Sequence, residues 1–283
     1  MLYFCFVKLF LRFIDVIIYT SIFTACCAVG LCMATEKLID PASVHLITKL
    51  HLLIFGSTLL VYNTPRLLPS ANGVQAKSSA LRKWYVFFCA TGLVLSSAGL
   101  YGQSMQVLIL CSALGVLAFS YFLPVLPFGS KKRLRDHGWL KICVLTGVWT
   151  LATTVLPMVA MHKQVANYPL EIAMRFAFVF VLCLLFDIRD IDTDLNNNIR
   201  TLPHKLGLAM SYRFISVLLV VFAVFSTLQF FRFADTERLY SSLFTALTTA
   251  GIVWYLKENS DKRAFVLLAD GPMLLYSICI LAF

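Results

Sequence analysis

The sequence predicts an all-α integral membrane protein, a bundle of about nine transmembrane helices in a single domain over residues 1–283. Three observations carry this expectation. Of the 283 residues, 60% are hydrophobic and only 13% are charged, which leaves too little polar surface for a soluble domain. The mean hydropathy of +0.83 is that of a chain whose solvent is lipid. Apolar runs long enough to cross roughly 30 Å of hydrocarbon also recur along the whole length.

Taken in order, the expected spans are Phe13–Ala34, Leu46–Tyr62, Trp84–Tyr101, Val107–Leu123, Leu140–Met161, Leu170–Phe186, Tyr212–Phe231, Leu239–Leu256 and Ala264–Phe283. Lys8 and Arg12 ahead of the first run, with Ala25, Cys26 and Cys27 after them, imitate a secretion signal. The leading segment is itself apolar, however, and eight more spans follow, so the first helix is expected to stay. The second span closes on Pro65 and Pro69, which are expected to stop the helix. In the last span, Gly271-Pro272 is expected to break the helix beside Asp270, an acid whose depth in lipid calls for a structural partner. The connections are short except near residues 63–83, 124–139 and 187–211.

Basic residues predict the orientation. With the amino terminus inside the cell, that end and the even-numbered connections hold eighteen of the twenty-four Lys and Arg. The odd connections keep Lys37, Lys49, Lys163, Arg175, Arg232 and Arg238. This bias implies a cytoplasmic amino terminus, an external carboxyl terminus and a place in the inner membrane. The net charge of +10 is then a topology signal with added attraction to membrane lipids, and no nucleic-acid partner is expected.

Chemistry concentrates at the end of the sixth span. Asp187-Ile-Arg-Asp190-Ile-Asp192-Thr-Asp194 packs four of the fourteen acidic side chains into eight residues. If the helix beginning near Leu170 runs on through it, a step of roughly 100° per residue brings Asp187, Asp190 and Asp194 onto one face, with Asp192 opposite. Carboxylates stacked in this way call for a cation, and hard oxygen ligands suit Mg²⁺. Arg200, His204 and Lys205 follow directly. Acid that gathers a metal and base that holds phosphate together suit a diphosphate substrate. The plainer possibility is a solvated acidic loop. The nine cysteines lie almost wholly in the spans without metal-ligand spacing and read as small apolar fillers.

The acidic run, followed by Arg200-Thr-Leu-Pro-His204-Lys205-Leu-Gly207, resembles the second aspartate-rich motif of the UbiA-type intramembrane prenyltransferases. Ser120-Tyr121 and the basic loop through Lys131 and Arg133 to Trp139-Leu140-Lys141 resemble the family's segment between helices four and five. The resemblance implies a nine-helix bundle and transfer of an isoprenyl group from a prenyl diphosphate to a lipophilic or aromatic acceptor. It further implies that Asp187, Asp190 and Asp194 are the catalytic metal ligands for Mg²⁺. It casts Asn63, Lys131, Arg133, Arg200 and Lys205 as substrate-binding residues, and Arg66 and Lys77 join them as basic groups able to hold a diphosphate.

One departure bears on all of this. The family's first aspartate-rich motif belongs at the end of helix two, where this chain reads Tyr62-Asn63-Thr64-Pro65-Arg66-Leu67-Leu68-Pro69-Ser70-Ala71. Asn63 is kept, but Thr64, Leu67 and Ala71 stand at the positions of the three acids. Arg66, Lys77, Arg82 and Lys83 are available to neutralise a diphosphate directly, and Arg66 alternatively reads as a snorkelling anchor. The missing acids keep open a non-catalytic or repurposed relative that binds lipid phosphates. A secondary transporter would account for Asp270 but not for the Arg-Thr-Leu-Pro tail.

Overall fold

The computed structural model describes residues 16–17, 19–43, 47–68, 79–123, 133–259 and 262–282. Among these residues the regular structure is helical, and nine long helices form the bundle. They are α1 (Ile22–Ile39), α2 (Lys49–Leu67), α3 (Ser79–Leu100), α4 (Met105–Phe122), α5 (Trp139–Ala160), α6 (Pro169–Arg189), α9 (Leu208–Phe233), α10 (Thr236–Glu258) and α11 (Lys262–Ala282). Two short helices, α7 (Ile191–Asn196) and α8 (Leu202–Leu206), join α6 to α9. Eight of the nine long helices are long and apolar enough to cross a membrane. The exception is α2, whose Lys49, His51, Asn63 and Arg66 lower its hydropathy.

Helix α6 is the axis of the bundle. It packs against α5 and α9, while α1 packs against α2 and α11. Its side chains Met174, Phe178, Leu182 and Leu184 are among the most deeply buried in the chain, and Phe178 stacks on Phe222 of α9. With apolar atoms on nearly every side, α6 is a core helix rather than a lipid-facing one.

The α2–α3 pair is set by small residues. A methyl group added at Gly56 would lie 2.6 Å from the Ser96 nitrogen, and one at Gly92 would lie 2.7 Å from the Gly56 carbonyl oxygen. Backbones this close need glycine, the usual means of membrane helix association where no hydrophobic drive operates.

Several sequence expectations change. Among the described residues the first long helix begins at Ile22, after Ser21 in a left-handed conformation (φ 59°); Phe13, the expected start of the first span, lies outside the described residues. The Thr20 carbonyl beside that break accepts a hydrogen bond from Asn63 Nδ2 at 2.9 Å, which locks α2 to the entry of α1. Pro65 does not stop α2, which runs on to Leu67; a proline in the last turn costs few hydrogen bonds. Pro272 likewise lies inside an unbroken α11. Asp270 is 5% exposed and accepts from the Thr24 hydroxyl at 2.9 Å, so its partner is structural, as expected. Arg175 is no connection residue: it is buried in α6.

Arg175 belongs to an ionic cluster at the bundle end opposite the aspartates. Glu171 accepts from Arg238, from Arg175 Nη2 at 3.4 Å and from Gln229 at 3.3 Å. Arg175 also donates to Thr35 of α1 at 3.2 Å. A buried acid paired with two guanidiniums ties α1, α6, α9 and α10 together at that end.

Candidate functional site at the α6–α7 break

The helix expected to carry the whole acidic run stops at Arg189. Asp190 is a turn residue (φ −92°, ψ 9°), and α7 restarts at Ile191. Helical hydrogen bonds continue on both sides of the break, from Asp190 N to Phe186 O (3.0 Å) and from Asp194 N to Asp190 O (2.8 Å). The bend separates the three carboxylates. Asp187 and Asp194 converge on Lys141 of α5, whose Nζ lies 2.9 Å from Asp187 Oδ1 and 2.6 Å from Asp194 Oδ2. Asp190 pairs instead with its neighbour Arg189, through bonds of 2.7 and 2.8 Å, and Arg189 lies over the rings of Phe186 and Phe265. Asp192 is exposed.

Lys141 therefore stands where the sequence called for a cation. Its position is fixed at the start of α5, which is capped by Gly138 at φ 51°. A methyl group there would lie 2.4 Å from the Arg200 carbonyl oxygen, so glycine lets the 133–138 loop rest on the loop after α7. On that loop Arg133 binds Asp136 with two nitrogens, at 3.0 and 3.1 Å. Burial pushes the Asp136 carboxyl up, but the hydrogen bonds and charge of Arg133 outweigh it and leave the group below its usual value. Burial, with the neighbouring Arg133 charge, lowers the Arg135 guanidinium, so Arg135 gains from any anion brought beside it.

These groups surround a cavity of about 320 Å³ whose walls include Tyr121, Arg133, Arg135, Lys141, Asp190 and Asp194. Three basic side chains and two acidic ones line it, with Arg133 paired to Asp136 and Lys141 to Asp187 and Asp194. Next to it lies an apolar cleft of about 210 Å³, lined by Leu53, Tyr62, Leu114, Phe119, Trp149 and Leu156. Phe122, on the wall of the polar cavity, meets the Tyr62 ring edge-on at 6.4 Å. Trp149 donates to the Tyr62 hydroxyl at 3.0 Å. One aromatic contact thus joins a charged chamber to an apolar one.

The other expected site residues divide. Arg133 lines the cavity; Arg200 and Lys205 are exposed and do not. Asn63 is fully buried, with Nδ2 on Thr20 and Leu59 and with Oδ1 lacking a partner. Arg66 lies over the Tyr85 ring, and its Nη1 is buried without a hydrogen-bond partner. Lys77 and Lys131 lie outside the described residues. Lys141, Arg135 and Tyr121 are among the cavity groups that the candidate set lacked. Tyr121 and Lys141 fall in the segment whose resemblance to the family the sequence shows, but their convergence on the aspartates is a matter of tertiary packing.

Among the described residues, the three metal-ligating side chains whose ligand atoms gather within 4.8 Å are Cys32, Glu36 and His51, not the aspartates. His51 Nδ1 accepts from the Thr48 N–H at 3.1 Å while Nε2 faces Glu36 at 2.9 Å. That arrangement places the ring proton on Nε2, where a metal would need the lone pair. The trio is a hydrogen-bonded lock between α1 and α2.

The bundle has the fold of membrane proteins whose structures are solved. Three solved structures share the fold. A UbiA homolog from Aeropyrum pernix K1 in its apo form matches with TM-score 0.65 and 15% identity, over 92% of this chain and 98% of that one. A UbiA homolog from Archaeoglobus fulgidus bound to Cd²⁺ matches with TM-score 0.60 and 11% identity, over 94% and 100%. A digeranylgeranylglyceryl phosphate synthase matches with TM-score 0.54 and 14% identity, over 96% and 99%. The chain therefore has the UbiA-type fold. No protein-family profile and no curated protein sequence matches it.

Proposed function

We propose that the protein binds a prenyl diphosphate and transfers its isoprenyl group to a lipophilic or aromatic acceptor within the membrane. The observation that carries this reading is the pairing of a basic cavity at the α6–α7 break with an apolar cleft across Tyr62–Phe122. A ligand with a highly anionic head and an apolar tail matches both chambers at once. Arg133, Arg135 and Lys141 would neutralise the diphosphate, with Lys141 passing from the carboxylates to the ligand.

Asp187 offers a donor to a hard divalent ion: its Oδ2 is buried without a hydrogen-bond partner, and carboxylate oxygens are the ligands such an ion takes. Asp187, Asp190 and Asp194 would hold Mg²⁺, which supplies charge neutralisation to the departing diphosphate. The metal bound to the Archaeoglobus fulgidus homolog supports a metal in this fold. In the reaction the allylic C–O bond breaks with its electron pair leaving on the diphosphate. The allylic carbon then bonds to the acceptor's nucleophilic atom, which sheds a proton. Tyr62, Phe122 and Trp149 would shield the allylic cation from water and face it with π electrons.

The test is release of diphosphate from an allylic prenyl diphosphate by the purified chain in detergent, with and without Mg²⁺. Metal-dependent release supports the reading; tight binding without release selects a lipid-phosphate-binding relative. Thr64 and Leu67 in place of acids, and Lys141 between two carboxylates, favour that second reading. Neither binding nor release rejects both. The proposed orientation puts the acidic end in the cytoplasm.

A further inference from the structure

A cavity of about 510 Å³ lies outside the proposed substrate site, lined by side chains of α5, α6, α8 and α9. Its walls are Trp139, Ile142, Phe180, Leu206 and Phe214, with a few further apolar side chains and one charge, Arg213. The volume falls within the roughly 300–1,000 Å³ of pockets that bury small ligands. Phe180 lies nine residues before the Arg189 end of α6, so the groove reaches roughly 13 Å below that end at 1.5 Å per residue. Trp139 and Leu206 stand exposed at its mouth.

Arg213 has no acidic partner among the described residues. The contact its guanidinium makes is to the Met210 sulfur at 3.8 Å, and His204 and Lys205 stand exposed on the adjoining α8. We propose that this groove seats one acyl chain of an anionic glycerophospholipid, with Arg213 on the headgroup phosphate. An apolar trough open to the bilayer selects a chain, and an unpaired guanidinium at its lip selects a negative head. The seat abuts the segments that place the acidic site, since Trp139 starts the helix carrying Lys141 and Leu202 follows the loop resting on Gly138. The inference is independent of prenyl transfer.

The test takes the full chain, stripped of lipid in a neutral detergent. It is given phosphatidylglycerol or phosphatidylcholine with identical acyl chains, and occupancy is read by native mass spectrometry. The expected preference for phosphatidylglycerol is about fivefold, the contribution of one basic side chain near the membrane surface. Arg213→Gln abolishes it, Arg213→Lys keeps most of it, and Leu206→Trp lowers occupancy by both lipids. Arg232→Gln, which removes the same charge at the far end of α9, leaves the preference intact. Equal binding of the two lipids by the wild type overturns the proposal. So does a preference that survives Arg213→Gln, one that falls equally in Arg232→Gln, or competition by glycerol phosphate without chains.

Discussion

Lys141 and Asp194 meet at 2.6 Å, with the same ammonium 2.9 Å from Asp187. Asp187 is buried, and this ammonium is the cation that offsets the charge of the two carboxylates. Removing it with Lys141→Met should destabilise the protein by about 3–5 kcal/mol, because a buried charge is left unpaired. Mg²⁺ should restore part of that loss, raising the melting midpoint of Lys141→Met more than that of the wild type. An equal Mg²⁺ response in the two proteins would mean that metal and ammonium do not share a position.

The carboxylates can be tested from the other side. The Asp190→Asn/Asp194→Asn double variant should lose Mg²⁺-dependent binding of a prenyl diphosphate while still folding in membranes. Asp190 is held by Arg189 at the break rather than by the core, so its loss should leave stability nearly unchanged. Calorimetric titration of the detergent-solubilised variant decides this, and undiminished Mg²⁺-dependent binding would remove these aspartates from the site.

Much of this architecture is legible in the sequence, and the failures have physical causes. Long apolar runs predict helices well in lipid, where every backbone polar group must be satisfied within its own segment. The ends were harder. The continuous helical arc failed at Asp190 because Arg189 competes for that carboxylate, and Pro65 and Pro272 failed as helix stops. Asp187 with Asp194 was readable from helical spacing, but their partner Lys141, on another helix, was not. The Glu171–Arg175 pair is spaced four residues apart and was visible in principle. Its burial, and the third partner Arg238, depend on tertiary packing.

The α2–α3 contact gives a prediction about stability alone. Gly92→Ala would push a methyl group to 2.7 Å from the Gly56 carbonyl oxygen, forcing the two backbones apart at about 1–3 kcal/mol. Gly251→Ala, where nothing lies within 4 Å, should be neutral or slightly stabilising because alanine favours helix. Thermal melts in one detergent compare the two directly, and equal midpoints would contradict the close helix packing.

The Arg133–Asp136 pair gives a pH dependence with a definite sign. The Asp136 carboxyl is held below its ordinary value of 3.8, so its contribution is fully present above that pH. It is lost as the pH falls through the lower folded value. Both side chains are partly exposed, which limits the pair to about 1 kcal/mol or less. Asp136→Asn should lower the melting midpoint slightly at pH 7, with the difference shrinking as the pH drops below about 4. A gap that persists unchanged in strong acid would mean that packing, not the ion pair, holds the loop.

Orientation can be tested with single cysteines in a cysteine-free background. Thr193→Cys on α7 should resist a membrane-impermeant maleimide applied to intact cells, and Asp235→Cys before α10 should react. Reaction at Thr193→Cys would place the acidic end outside and reverse the positive-inside assignment.

Arg66 separates direct charge neutralisation from simple anchoring. Its Nη1 is buried without a hydrogen-bond partner, and its guanidinium rests over the Tyr85 ring. It does not line the cavity at Lys141. A snorkelling side chain keeps its charged head in water, whereas a buried N–H without an acceptor carries an unmet desolvation cost. A diphosphate oxygen would meet it. Thr64 and Leu67 supply no acid here, so under the proposed function this guanidinium would be one of the cations that neutralise the diphosphate directly. Arg66→Ala should therefore weaken binding of a prenyl diphosphate ten- to a hundredfold, or about 1.5–3 kcal/mol. Arg66→Lys should fall between the two, because an ammonium cannot form the forked pair. The measurement is a dissociation constant in detergent alongside a melting midpoint for each variant. Unchanged affinity with a lowered midpoint would assign Arg66 to packing on Tyr85, and would leave Arg133, Arg135 and Lys141 as the whole of the anion site.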